Sequence, residues 1–379
     1  MKHFKGSITT PKGFKTNGIH CGIKRVKPDL GLIVSDVPCV CAGVFTKNSI
    51  KAAPLLVSEK HLKNNKAQAI IVNSGNANCF TGEKGYMHAV KMTTALAPLL
   101  NIKAEDIIVT STGIIGKPLQ IKKITDGYAK LVKGLRTTKT TQFAKSILTT
   151  DKYLKEVCVK TTIGGKSITL GGCAKGSGMI APNMATMLGF VTTDLNITPA
   201  MLKAALKIAT EQSFNCITID GCMSTNDMVV VMASGLAGNK TISTKGKDFN
   251  AFTQALNVVC LDLAKKIVLD GEGATKFIEV NVLGAENAVQ AKKIGLTIAN
   301  SNLVKTAAYG SNPNWGRVAA AVGSLGIKKI TEEKMDISFS SFSKKNITIN
   351  VNIHCGAGKA TVFTSDLSKE YVRINGEYN

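Results

Sequence analysis

Short apolar runs that break off into strings of Asn, Ser, Thr and Gly recur along this sequence, separated by stretches with apolar residues at helical spacing. Such runs have the length of strands, and the spaced stretches have the pattern of helices with one buried face. The alternation confines the chain to a mixed class, α/β to α+β. Gln68–Val72 reads as a strand running into Asn73-Ser74-Gly75-Asn76-Ala77-Asn78, and Asp106–Thr110 as one running into Ser111-Thr112-Gly113-Ile114-Ile115-Gly116. Strand ends of this kind present polar side chains and backbone N–H groups at one rim of a sheet. Gly85–Leu100, Thr198–Ser213, Phe249–Val268 and Glu286–Ala299 read as helices, with Thr198 capping the second and Pro199 in its first turn. Ser167–Leu170, Cys216–Ile219 and Phe277–Val282 read as further strands, the first followed by a glycine-rich loop at Gly171–Gly178.

The tail changes style. Met335–Ser340, Asn346–Ile353 and Ala360–Phe363 read as strands joined by short polar turns. The division expected is a core over residues 1–275 and a smaller α+β domain over 276–379.

Composition narrows the function classes. Ten cysteines are scattered, mostly in apolar segments, with no CxxC and no paired histidine spacing. They read as small buried hydrophobes in a reducing compartment, and no metal is expected. The balance of 48 Lys+Arg against 25 Asp+Glu gives +23, which alone suggests an anionic partner. The lysines are spread rather than blocked, however, and aromatics are only 5%, too few for a base-stacking platform, so no nucleic acid is expected. No apolar run reaches the ~20 residues of a membrane helix and no apolar segment follows the basic start, so the expectation is a cytoplasmic chain with no membrane partner.

The segment with the most chemical content is Gly171–Asp194, GGCAKGSGMIAPNMATMLGFVTTD. It joins a glycine-flanked Lys175, a loop of small residues, and Ala185-Thr186 opening an apolar stretch. As residue types these also suit an ordinary turn leading into a buried strand.

The unbroken string Lys175–Leu188, KGSGMIAPNMATML, resembles the self-cleavage motif of the ornithine acetyltransferase (glutamate N-acetyltransferase) family. The resemblance covers nearly the whole chain: NSGNAN at Asn73–Asn78, STGxIG at Ser111–Gly116, Thr149-Thr150-Asp151, Ser224-Thr225-Asn226-Asp227, DGEGATKF at Asp270–Phe277 and Pro313–Arg317 follow in the family's order. It implies a layered sandwich of sheets and helices of the self-cleaving aminopeptidase type, and cleavage between Ala185 and Thr186. It further implies acetyl transfer from N-acetylornithine to glutamate through an acetyl ester on Thr186. Freed as an N-terminus, Thr186 would carry its own base, since an α-amine with a pKa near ~8 can take the hydroxyl proton.

By the same carry-over, Thr112 and Gly113 resemble the oxyanion donors. Thr149 or Thr150, Lys175, Thr186, Glu272 and Asn375 resemble substrate-binding positions. Lys175 suits a carboxylate and Glu272 an ammonium group. The resemblance implies no cofactor, acetyl-CoA being a candidate second donor, and a heterotetramer of two α and two β chains after cleavage. Two departures stand out. Cys222 occupies a place where the family usually has an acidic residue, and the family commonly continues to a substrate-contacting threonine one place beyond Asn379. The five histidines match none of the motifs. Two other readings are an amidase or aminopeptidase of the related fold, which would pass the acyl group to water, and a basic nucleic-acid-binding protein.

Overall fold

The computed structural model of the chain describes residues 1–138, 141–181 and 187–377. Ala185 and Thr186 lie outside the described residues. The chain forms two compact units.

The larger unit contains described residues 1–138, 141–176, 187–213 and 223–263. Its strands are β1 (Lys2–His3), β2 (Phe14–Ile19), β3 (Leu30–Phe45), β4 (Lys66–Asn76), β5 (Ile107–Ile114), β6 (Lys155–Ile163), β7 (Lys166–Lys175), β8 (Leu188–Thr193) and β9 (Met228–Ala233). They form one sheet in the order β1-β6-β7-β8-β9-β3-β4-β5, with β2 paired to β3. The 16-residue β3 is the hinge of this order. Its first half pairs with β2 and β4 and its second half with β9, and its register against β4 breaks between Val34 and Cys39. Pro38 lies in that break, where its missing N–H costs no ladder bond.

β4 and β5 are parallel, and both their faces are buried. Ile70, Val72 and Ile108 enter one apolar cluster with Phe143 and Ile147. Ala69, Ile71, Ile107 and Val109 enter the other, with Met92 and Leu96. A strand buried on both sides reads as a continuous apolar run, as these do. Helices α1 (Ala53–His61) and α2 (Gly82–Leu100) cover the second cluster; α3 (Ile121–Asp126) and α4 (Tyr128–Lys133) add to it, and α5 (Thr141–Ile147) covers the first. Helix α6 (Pro199–Glu211) begins after Thr198, whose backbone is extended but whose side chain makes no cap bond. Helix α7 (Lys247–Leu269) lies against β7 through Val259 and Leu263, which leave room only for glycine at Gly172.

Three strands run further than their apolar cores suggest. β4 continues through Asn73-Ser74-Gly75-Asn76, and β5 through Ser111–Ile114, because the two polar ends pair with each other. β7 continues through Gly171-Gly172-Cys173-Ala174 to Lys175, paired with β8, where the sequence reading placed a loop. Cys216–Ile219 is not a ladder strand: Phe214–Cys216 is a 3₁₀ turn, and Ile217 makes a single bridge to Phe363.

The smaller unit contains described residues 177–181, 214–222 and 264–377. Its sheet has the order β11-β12-β10-β13, from β10 (Phe277–Ala285), β11 (Asp336–Phe339), β12 (Asn346–Asn352) and β13 (Gly358–Ser365). Ile278, Val280 and Val282 alternate inward and meet Ile347, Ile349 and Val351 across the parallel β10–β12 pair. Ile294 and Ile298 of α8 (Ala288–Asn300) cover this face, followed by α9 (Asn302–Tyr309) and α10 (Trp315–Gly323). The chain ends in α11 (Lys369–Gly376), capped by the Ser368 hydroxyl on the Tyr371 N–H. Among the described residues no helix is long and apolar enough to cross a membrane.

Candidate active site

In the larger unit the ends of β5 and β7 meet at Lys175. This buried lysine closes β7, and its Nζ donates to Thr112 Oγ1 at 3.2 Å and to Thr149 Oγ1 at 3.0 Å. Three of the residues singled out in the sequence are thus brought together, with Thr150 half-buried in the same loop. Because the ammonium donates to the Thr112 oxygen, that hydroxyl keeps its own proton to give elsewhere.

The rim around Thr112 is built from backbone. Gly113 has φ +134°, and a Cβ there would lie 2.3 Å from the Gly75 carbonyl carbon and 2.5 Å from the Asn76 nitrogen. Only glycine permits so close an approach of β4 and β5. Side chains of the Asn-Ser string lock the same rim: Asn73 Nδ2 donates to the Asn76 carbonyl at 2.9 Å, and the Ser111 hydroxyl donates to Asn73 Oδ1 at 2.5 Å. Asn226 Nδ2 bridges the Ala77 and Ser111 carbonyls at 2.7 and 2.8 Å. The asparagines read as a polar rim are therefore fasteners of the two strand ends.

Behind Lys175 lies an ion pair the sequence reading did not single out. Lys155 Nζ meets Asp151 Oδ1 at 2.7 Å with both side chains buried. The same Oδ1 accepts the Gly176 N–H at 2.7 Å, and Oδ2 accepts the Thr149 N–H at 3.0 Å. Burial pushes the Asp151 carboxyl up, but the Lys175 and Lys155 ammonium groups and the Gly176 N–H outweigh it and hold it well below the usual carboxylate range. Asp151 thus fixes Thr149 and Gly176 at the floor of this candidate site.

The residues flanking the proposed cleavage segment are also held by carboxylates. In the larger unit the Met187 N–H donates to Asp227 Oδ1 at 2.8 Å. In the smaller unit Asp220 accepts the Met179 N–H at 2.6 Å and the Ile180 N–H at 2.9 Å, and the Tyr371 hydroxyl at 3.3 Å. Burial and the neighbouring Asp220 raise the Tyr371 phenol above its ordinary value. The string Ser224–Asp227 contains Asp227, but residue type alone gave it no separate role.

Glu272 and Asn375 come together within the smaller unit: Asn375 Nδ2 donates to Glu272 Oε2 at 2.9 Å. The Glu272 N–H donates to the Ser177 carbonyl at 2.8 Å. A Cβ on Gly178 would lie 2.2 Å from Glu272 Oε2, so the glycine admits the carboxylate. Cys222 is exposed beside Asp220, its N–H on Asp220 Oδ1 at 3.1 Å.

A buried lysine holding two threonine hydroxyls stands at the start of the KGSGMIAPNMATML string, with a glycine-built rim beside it. The whole chain carries the same signature. The ArgJ family model matches residues 15–344 and 340–379, and the chain belongs to that family. It is 45% identical to the arginine biosynthesis bifunctional protein ArgJ of Geobacillus kaustophilus, across 98% of this chain and 96% of that protein. Among solved structures, ArgJ of Bacillus halodurans is 44% identical with a TM-score of 0.47, covering 48% of this chain and 96% of that one. Ornithine acetyltransferase of Mycobacterium tuberculosis complexed with ornithine is 32% identical with a TM-score of 0.45, covering 48% and 97%.

Proposed function

We propose that the chain cuts itself between Ala185 and Thr186 and then moves acetyl groups from N-acetylornithine to glutamate through an ester on Thr186. It is an acyltransferase of arginine biosynthesis. The observation that carries the detailed reading is Lys175, first residue of the unbroken 175–188 string, on the hydroxyls of Thr112 and Thr149.

In the precursor, Thr186 Oγ attacks the Ala185 carbonyl carbon and the peptide nitrogen leaves. Water then hydrolyses the ester, giving an Ala185 carboxylate and a free Thr186 α-amine. In turnover this amine takes the hydroxyl proton while Oγ attacks the acetyl carbonyl of acetylornithine, and the proton passes to the departing ornithine amine. The α-amine of glutamate attacks the acetyl ester and restores Thr186. Each tetrahedral oxyanion is met by the Thr112 O–H and the Gly113 N–H, donors that typically contribute about 3 kcal/mol each to the barrier. Lys175 suits a substrate carboxylate, with Thr149 or Thr150 beside it. Glu272, oriented by Asn375, suits a substrate ammonium group.

The reading needs no cofactor, takes acetyl-CoA as a second donor, and assembles two chains of each kind in the cytoplasm. With acetylornithine supplied and glutamate withheld, peptide mapping should find an added acetyl mass on the peptide beginning at Thr186. The Thr186→Ala chain should stay uncut and inactive. An acetyl label on a cysteine such as Cys173, or wild-type transfer by Thr186→Ala, would remove Thr186 from the mechanism.

A further inference from the structure

Met187 is gripped from two sides within the larger unit. Its N–H donates to Asp227 Oδ1 at 2.8 Å, and its carbonyl accepts the N–H of the next residue, Met228, at 3.1 Å. Asp227 is itself fixed, since its carbonyl accepts the Thr46 N–H at 3.0 Å just beyond the end of β3. Its side chain is buried, and among the described residues Oδ2 has no well-formed hydrogen bond, the Thr46 side chain being the neighbour that favours its charged form. A buried carboxyl with one committed oxygen and one orphan is costly to keep.

The nitrogen that Asp227 holds is bonded to the carbonyl carbon of Thr186. The peptide unit is planar, so the Met187 N–H lies in the plane that carries the Thr186 Cα, and fixing it fixes that plane. The ψ torsion of Thr186 and its χ1 then remain to aim Oγ. Misplacement of a reacting atom by about 1 Å costs on the order of 100-fold in rate.

We propose that Asp227 is a positioning residue for the nucleophile: its carboxyl pins the peptide group that follows Thr186, directing Oγ for self-cleavage and the freed α-amine and Oγ for acetyl transfer. This rests on Thr186 being the nucleophile. Burial pushes the Asp227 carboxyl well above the usual carboxylate range, against the Met187 N–H and the Lys175 charge. Asparagine keeps an oxygen that can accept the Met187 N–H.

The experiment compares Asp227→Ala, Asp227→Asn and Thr186→Ala in the full chain, following cleavage by intact mass and acetyl transfer at steady state. Asp227→Ala should slow both cleavage and kcat by about 100-fold, with KM for acetylornithine and glutamate within about twofold. Asp227→Asn should recover both rates to within about fivefold of wild type, because the Met187 N–H keeps its acceptor. Asp227→Ala at near wild-type rates overturns the proposal. So does Asp227→Asn as impaired as the alanine variant, which would assign the effect to charge. If the alanine variant does not fold, Asp227→Asn decides alone on the same fivefold criterion. A cut or active Thr186→Ala chain condemns the nucleophile itself, whereas an intact, inactive one beside a normal Asp227→Ala condemns only the positioning role.

Discussion

Replacing Asp151 by asparagine removes one charge from a buried pair and tests how the floor of the candidate site is held. The carboxylate accepts from Lys155 Nζ at 2.7 Å, Gly176 N–H at 2.7 Å and Thr149 N–H at 3.0 Å. An amide has one accepting oxygen, so its NH₂ must face either the Thr149 N–H or the Lys155 and Gly176 donors. One buried donor left unmet costs about 1–3 kcal/mol. The Lys155 ammonium, 1% exposed, in addition loses the Asp151 charge. Breaking a buried pair from one side costs about 3–5 kcal/mol in all. At roughly 2–4 °C per kcal/mol, Tm should fall by about 6–20 °C. The exposed pair Lys15–Asp36, at 42% and 47% exposure, is the internal control: Asp36→Asn should change stability by less than about 1 kcal/mol. The pH dependence has a definite sign. Asp151 is held below the usual carboxylate range in the folded chain, so its contribution is present above the unfolded pKa and lost as pH falls towards the folded one. Wild type should therefore lose part of its stability below about pH 4, and Asp151→Asn should lack that part. Thermal melts by circular dichroism across pH measure both effects. If Asp151→Asn melts within about 2 °C of wild type at pH 7, the pair does not carry the load argued here.

Thr112→Ala should lower kcat by about 10- to 1000-fold with a smaller change in KM, and slow self-cleavage too, as steady-state kinetics and intact mass would record. Normal turnover and processing would leave Thr112 a turn residue. Gly113→Ala must part β4 from β5 or refold the rim. Backbone strain alone is about 1–3 kcal/mol, so melting temperature and cleavage rate should fall together, and a stable, fully processed variant would contradict the packing described. Glu272→Gln should raise KM for acetylornithine by about 10- to 100-fold, the loss of one charged hydrogen bond, while kcat changes less. A loss confined to kcat would move Glu272 from binding to chemistry.

The residues of the floor were legible as strings. Thr112, Thr149 and Lys175 stood in motifs, and the structure brings these three together. The path of the strands through those strings was not legible. Gly171-Gly172 and Asn73–Asn76 carry turn-type residues, yet they pair as strands with β8 and β5, and the two glycines leave room for the Ser7 carbonyl and for Val259 and Leu263 of α7. Asp151 and Lys155 stand four apart, a spacing that reads as a solvated helix pair. Here Lys155 opens β6, and both side chains are buried. β3 also escaped reading, since its two halves serve different partners and no single period runs through it.

Strand order in the larger sheet has a consequence for the molecule once Ala185–Thr186 is cut. β8 and β9 lie downstream of the cut, but each is flanked by a strand from upstream, β7 on one side and β3 on the other. The smaller unit is shared likewise, for the Ile180 carbonyl accepts from Ile219 N–H at 2.7 Å and Thr218 Oγ1 at 3.0 Å across the same divide. The apolar cluster that packs Ile33, Phe143 and Cys173 against Leu188, Phe190, Met228 and Val230 draws on both polypeptides, so cleavage turns the closing of the larger sheet from a unimolecular reaction into an association. The uncut Thr186→Ala chain should melt at a temperature independent of concentration. The processed enzyme should melt higher as it is concentrated, and should recover poorly after dilution from denaturant, because two partners must find each other before the larger sheet can close.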